Sequence, residues 1–384
     1  MPLPIQHANL EFLRIHKESV LNNRCVLVFA LSTVAAASSS AQSITVYGLV
    51  DAAVERVDNV GASGSGLNRM PNLTGSFPSR LGLRGSEDLG DGLRALVTLE
   101  MGFSPDTGGL NQGGRAFGRQ SFVGLAGSWG ALTFGRQYTM LYWSLLDADV
   151  LGPNIYGSGS LDNTIPNARA DNAFAYRGTF NGLTLGATYS LGRDVVNGGN
   201  PAATNCPGEL ATDAQACREW SAMVKYDSAA WGALAAIDEV RGGPGAFAGL
   251  TRSALKDRHV SVNSYVNVAA WKLTAGLVWR DNGANMVSPR SDLWYAGAVY
   301  PVSPLLLAEA EVFSLRFKQG GDKAALAAAR LTYSLSKRTA VYTSFGRIAN
   351  DGSLALSVSS GAVGSNPVGG ASQNAIALGL RHSF

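Results

Sequence analysis

The chain has 384 residues, 46% of them hydrophobic and 15% charged, with 46 glycines. A formal charge of only +3 lacks the basic footprint of a nucleic-acid binder. Beyond residue 41 no apolar run reaches the roughly 20 residues of a spanning helix, which excludes helical membrane classes but not barrels, whose strands give a weak alternating signal.

The first expected element is an export leader. CVLVFALSTVAAA, from Cys25 to Ala37, is a compact apolar stretch behind Arg14, Lys17 and Arg24, and Ser39-Ser40-Ala41 supplies small residues for cleavage. Residues 1–41 are therefore expected to be a signal peptide with a long N-terminal extension, and 42–384 a single barrel domain. The leader takes away three cations and two anions (Glu11 and Glu18), leaving the mature chain at +2.

Next comes a succession of alternating segments: 44–56, 79–85, 93–103, 117–127, 131–138, 172–178, 183–191, 219–227, 231–241, 259–268, 271–280, 292–300, 305–317, 324–335, 339–347 and 374–384. The last is the clearest, with Ile376, Leu378, Leu380 and Phe384 on one face and Ala377, Gly379, Arg381 and Ser383 on the other. Sixteen is an even count, as a closed antiparallel barrel without edges needs. Short turns (87–92, 127–130, 179–182, 228–230, 336–338) alternate with long loops (57–78, 104–116, 139–171, 192–218, 242–258, 348–373), as in an outer-membrane barrel. Aromatics near segment ends, such as Tyr47, Tyr138, Trp231, Trp271, Tyr300, Phe313, Tyr333 and Tyr342, fit interfacial girdles. Cys206 and Cys217 share a Gly/Asn/Pro-rich loop, and in an exported protein the first reading is a disulfide that staples it. No histidine lies nearby, so no metal is expected there, and the sequence suggests no cofactor.

SRLGLRGSEDLGDGLRALVTLEMGF and FGRQSFVGL…GALTFGRQYT resemble the trimeric general porins of Gram-negative outer membranes. ITVYGLVDAAVE is similar to their opening strand, LSKRTAVYTSFGR to a late turn and strand, and GLRHSF to the closing strand. The resemblance implies a sixteen-stranded transmembrane β-barrel with short periplasmic turns, long extracellular loops and an inward-folded third loop. It also implies a homotrimer in contact with lipopolysaccharide and the lipid bilayer. Phe384 would be the signal read by the barrel-assembly machinery. The implied function is passive diffusion of small hydrophilic solutes and ions. Two departures stand out: Arg177-Gly178 replaces a frequent Ser-Pro, and Gly152-Pro153 stands where some relatives carry a further acid.

A channel of this kind needs a hydrated constriction with ordered charges. Leu81 and Leu83 share one strand face, so Arg80 and Arg84 point to the lumen, and Arg119 lies opposite Phe122. By resemblance, Arg80, Arg119 and Arg169 occupy the family's arginine cluster, braced by Glu100. Asp147 and Asp149 are the acids of the inward loop. Three or more wall arginines against two loop acids predict a mild anion preference. Arg136 shares the outward face of Leu132 and Phe134. An arginine facing lipid costs roughly 2–4 kcal/mol at midplane, so it needs cover or a place near the rim, and the resemblance favours a trimer interface. Gly48 and Ala52 suit close subunit packing.

Catalysis finds little support. His259 has Asp257 beside it, read here as lying on the opposite strand face. Ser334 and Lys337 have a Ser-x-x-Lys spacing, but at a turn. A substrate-specific channel and a surface adhesin or receptor barrel remain alternative readings.

Overall fold

The computed structural model describes residues 43–73, 76–152, 155–161, 168–196, 204–247, 249–360 and 363–384. The expected signal peptide and its cleavage point lie outside them. The described residues form a closed antiparallel barrel of sixteen strands. These are β1 (Ser43–Val60), β2 (Arg80–Gly90), β3 (Leu93–Gly102), β4 (Gln120–Gly127), β5 (Gly130–Tyr138), β6 (Ala173–Phe180), β7 (Leu183–Ser190) and β8 (Glu219–Asp227). The second half comprises β9 (Trp231–Arg241), β10 (Lys256–Val268), β11 (Trp271–Asn282), β12 (Arg290–Pro301), β13 (Leu306–Phe317), β14 (Lys323–Ser334), β15 (Thr339–Asp351) and β16 (Ser372–Ser383). Two short loop strands add to them: Ser65–Arg69 pairs with the far end of β1, and Arg169–Ala170 with the end of β5. Sequential strands pair all round, and β1 closes on β16 from Leu49↔Ser383 to Val57↔Ala375. Backbone amides are thus satisfied around the ring, the condition for crossing hydrocarbon.

Side chains alternate as the pleat requires. On β16, Ile376, Leu378 and Leu380 face out and are exposed, while Ala375 and Ala377 are buried inside. On β14 the outward positions run from Lys323 through Ala325, Ala327, Ala329 and Leu331 to Tyr333. Ten steps of about 3.3 Å at the usual 35–45° tilt give an apolar band roughly 25 Å tall. Its short-turn edge carries paired aromatics, Trp271 stacked with Tyr300 at 4.4 Å and Tyr226 tilted against Trp231 at 5.2 Å. Tyr47, Phe313 and Tyr342, expected in such girdles, take inward positions of the alternation instead, and Tyr138, at the end of β5, is buried against Arg119 and Tyr142.

Several strands outrun their expected ends on the long-loop side. β1 continues to Val60, β10 starts at Lys256 and β15 reaches Asp351. The ladder needs only backbone groups, so it persists after the apolar alternation has stopped.

The core lies inside the barrel, against one side. Val278, Leu293, Tyr295, Phe313, Leu315, Leu326 and Ile348 project inward from β11–β15, and they pack on Leu145, Ala148, Leu151, Ile155 and Tyr156 of the loop 139–171. Each large apolar side chain so buried contributes about 1.5–3 kcal/mol. This interior wall is therefore not polar throughout, as simple alternation would have it.

Candidate functional site

After β5 the chain turns into the barrel. Thr139 accepts the Tyr142 N–H at 3.4 Å and caps helix α1 (Met140–Leu145). The Met140 N–H donates to Ser221 Oγ on β8 at 2.9 Å, and Asn263 Nδ2 on β10 donates to the Ser144 carbonyl at 2.9 Å. Further along, the Leu151 N–H donates to Glu311 Oε2 on β13 at 3.0 Å. The Tyr156 hydroxyl then donates to Glu55 Oε2 on β1 at 2.9 Å. Its ring fills the space above Gly346 of β15, where an added Cβ would come within 2.6 Å of it. The loop thus lines the inner wall from β8 to β15. The open bore is left between the loop and the wall of β1–β6.

That wall carries the cations. Arg80 and Arg84 are on the inner face of β2, Arg84 exposed and 4.7 Å above the Tyr47 ring. Glu100 of β3 is nearly buried and gathers the group. It accepts from Arg119 Nε at 2.7 Å and from the Tyr47 hydroxyl at 2.9 Å, with Arg80 Nε at 3.9 Å. Arg119 also donates to the Tyr138 hydroxyl at 2.7 Å. Its side chain is only 4% exposed, so Arg119 supports the wall instead of lining the bore. Arg169 donates to the same hydroxyl at 3.1 Å and lies 4.6 Å over the Tyr138 ring, which stacks on Tyr142 at 4.1 Å. Beyond it Arg177, exposed on the inner face of β6, sits 3.9 Å over the Trp143 ring. Arg84, Arg169 and Arg177 each sit over an aromatic ring, an arrangement that holds the charge without neutralising it. In the sequence Arg177 stands out only as a departure from the family pattern, and this placement goes unnoticed there. Its parity with Ala173 and Ala175, both buried, is the signal that points it inward.

The loop acids behave otherwise than expected. Asp147 does face the bore, but Lys225 of β8 pairs with it at 2.6 Å and with Asp227 at 2.9 Å. Asp149 is only 2% exposed and is turned away from the bore. It accepts from Ser158 Oγ at 2.5 Å and lies against the Glu311 carboxyl. Burial pushes its pKa up to about 6. The expected acidic rim therefore shrinks to one neutralised carboxylate, because the loop tip is plugged into the apolar wall and takes Asp149 with it. Glu100, too, braces arginines and adds no acid to the bore.

A ring of strands enclosing a narrowed aqueous bore, with one wall cationic, is a path for small solutes. The family profile of the Gram-negative porins matches residues 25–353. The chain belongs to that family. Outer membrane porin protein 32 of Delftia acidovorans is 27% identical, over 94% of this chain and 99% of its own length. An outer membrane porin protein of Bordetella pertussis is 34% identical over 176 residues, 42% of this chain and 46% of that protein. Among solved structures, an anion-selective porin from Comamonas acidovorans superposes with a TM-score of 0.72 at 25% identity, covering 90% of this chain and all of that one. This porin is an integral barrel of the outer membrane, and its water-filled channel passes small hydrophilic solutes and ions by diffusion.

Other expected residues of the porin fall as follows. Arg136 has outward parity, yet its guanidinium is covered by its own chain. Nε donates to the Gly118 carbonyl at 2.7 Å and Nη1 pairs with Asp171 at 2.6 Å. It needs no neighbouring subunit to escape lipid, so the physical reason for placing it at an interface is gone. Phe384 exchanges backbone hydrogen bonds with Gly48 at 3.2 and 3.1 Å. Its ring lies over that glycine, where a Cβ would clash at 2.6 Å. Cys206 and Cys217 are joined, with Cα atoms 5.3 Å apart, in the loop between β7 and β8. His259 and Asp257 share the inner face of β10, at 3.9 Å, and do not lie on opposite faces. Residues two apart in a strand point the same way, and His259 is fully buried.

Proposed function

We propose that this porin is an anion-preferring general diffusion channel, with Arg80, Arg84, Arg169 and Arg177 as the basic side of its constriction. One observation carries the reading. Arg84 and Arg177 are exposed on the inner wall and unpaired with any acid among the described residues, while of the two loop acids one is paired with Lys225 and the other is buried. Fixed charge beside a low-dielectric wall concentrates counter-ions. The anion selectivity of the Comamonas acidovorans porin is consistent with this. Reversal potentials across planar bilayers in a salt gradient test it: permeability should favour chloride over potassium. A cation preference in the unmodified protein would overturn the proposal.

The same reading assigns the porin no catalysis, since its His259–Asp257 contact is buried in the wall. It makes residues 1–41 a cleaved leader, the working unit a homotrimer packed on the first strand around the small outward residue Ala52, Gly48 being covered by its own chain's Phe384 ring, and Phe384 the signal for the assembly machinery. Lipopolysaccharide is its expected boundary lipid. Steps of three equal conductances per insertion would support the trimer; single steps would count against it.

A further inference from the structure

Three rings meet where the chain turns into the barrel. Tyr138 stacks on Tyr142 at 4.1 Å with 8° between the planes, and Trp143 stands edge-on to both, at 5.7 and 6.3 Å. An arginine lies at each end of the group. Arg169 is 4.6 Å over the Tyr138 ring and 5.9 Å over that of Tyr142, and Arg177 is 3.9 Å over Trp143. Tyr138 is buried, Tyr142 and Trp143 are only half-buried, and Arg177 is exposed on the inner wall.

These two arginines differ from their neighbours in what they hold. Arg119 is bound to Glu100, Arg115 to Asp194 and Arg136 to Asp171, so their N–H groups are already engaged by carboxylates. Arg169 donates to the Tyr138 hydroxyl, and its Nε has no partner among the described residues. Arg177 makes no hydrogen bond or ion pair among them; its contact is the Trp143 ring. A guanidinium lying on a ring keeps its planar fork of donors free at the edge, and that fork takes a carboxylate through two parallel hydrogen bonds. Beside it are the open parts of Trp143 and Tyr142, which favour offset or edge-on contact with another ring. One kind of solute uses both features: a flat ring that bears a carboxylate. Chloride or an aliphatic acid uses the fork alone.

We propose that Arg177, Trp143 and Tyr142 form a station on the diffusion path for aromatic monocarboxylates of the benzoate kind. Arg177 takes the carboxylate, the two rings take the solute's ring, and Arg169 adds to the field. The station is weak by construction, since a solute in transit must be held loosely enough to leave. This rests on the reading of Arg177 as part of the basic side of the constriction and deepens it by naming a solute class.

The test measures block of the chloride current through the full-length porin in planar bilayers at neutral pH, with benzoate and cyclohexanecarboxylate added in turn. Both acids are ionised there and similar in size, and only benzoate has a π face. In the unmodified protein benzoate should reach half-block at a concentration about threefold or more below that of the other acid, the scale of one aromatic pair. Trp143→Leu, which keeps an apolar side chain in place, should bring the two acids to the same half-blocking concentration, and Arg177→Gln should raise both. Equal block by the two acids in the unmodified protein overturns the proposal without recourse to any variant. So does a preference for benzoate that survives Trp143→Leu, block unchanged by Arg177→Gln, or block by neutral benzamide as strong as by benzoate. Reversal potentials on the same membranes keep the two readings apart. Chloride preference without discrimination between the acids sinks only this station; cation preference with benzoate still favoured sinks the earlier reading and keeps the station.

Discussion

On the β1–β6 side of the interior, arginines stand on aromatic rings and face water; on the β11–β15 side, equivalent inward positions hold Val278, Leu293, Phe313, Leu315, Leu326 and Ile348 with no access to water. Both walls obey the same pleat and close the same ring. They differ because the apolar run Leu145–Tyr156 of the inward loop packs on one, whereas the other meets the loop chiefly through the rings of Tyr142 and Trp143. Where that run lies, the wall acts as half of a protein core, and mutations there should register in stability. Where it does not, the wall is a solvated surface, and mutations should register in selectivity.

Four experiments press on that contrast, ordered by expected effect. Tyr156→Ala removes the ring seated over Gly346 and the hydrogen bond to Glu55. A loss of about 3–5 kcal/mol is expected, as for other buried aromatic truncations. Thermal unfolding in detergent reads it, and single-channel records should grow noisy as the loop loosens; an unchanged melting curve would dissolve the distinction between the walls.

The second experiment is a pH titration. Asp149 has a folded-state pKa of about 6 against an ordinary 3.8, because burial disfavours its charge. The native state then binds more protons than the unfolded state between those values. The Asp149 contribution to stability should fall as pH rises from about 4 to 6 and level off above, by at most roughly 3 kcal/mol. Asp149→Asn should flatten that slope; the same slope in both proteins would mean that another group produces it.

Arg84→Glu addresses the opposite wall. It should cut the anion preference several-fold or reverse it, while stability changes by under about 1 kcal/mol, the scale of an exposed cation–π contact. Unmoved reversal potentials would remove Arg84 from the constriction. Smallest of all, Lys225→Ala should release Asp147 into the bore and lower the anion preference less than twofold, with Asp147→Asn in the same background restoring it. No difference among the three proteins would mean that Asp147 is not felt by passing ions.

Much of this was legible in the residues alone. NAIALGLRHSF declares an apolar and a small, polar face, and the alternation of short turns with long loops gives the sixteen-stranded ring. Arg80 and Arg84 follow from lying on the strand face opposite Leu81 and Leu83. The destination of the inward loop did not follow. Asp149 meets Glu311 across the barrel, and Leu151 meets the same residue at a separation of 160 positions. No local pattern encodes such a meeting. A trace of it exists in β12–β14, where leucine and phenylalanine occupy inward positions although the outward ones are already apolar. A strand greasy on both faces, inside a barrel meant to hold water, needs something to cover it. Arg136 shows the converse failure. Parity put it outside correctly, but its cover, Asp171 and the Gly118 carbonyl, comes from loops whose course the sequence does not reveal.

The seam has a consequence for how the molecule is made. Leu49 pairs with Arg80 on one side, but its partner on the closing side is Ser383, so nearly the whole polypeptide must be delivered before the ring can shut. Until then both terminal strands are raw edges, ready to pair with any other extended chain. The growing sheet must therefore be escorted and kept from its own kind. The last hairpin to arrive, not the first, decides when the wall becomes watertight.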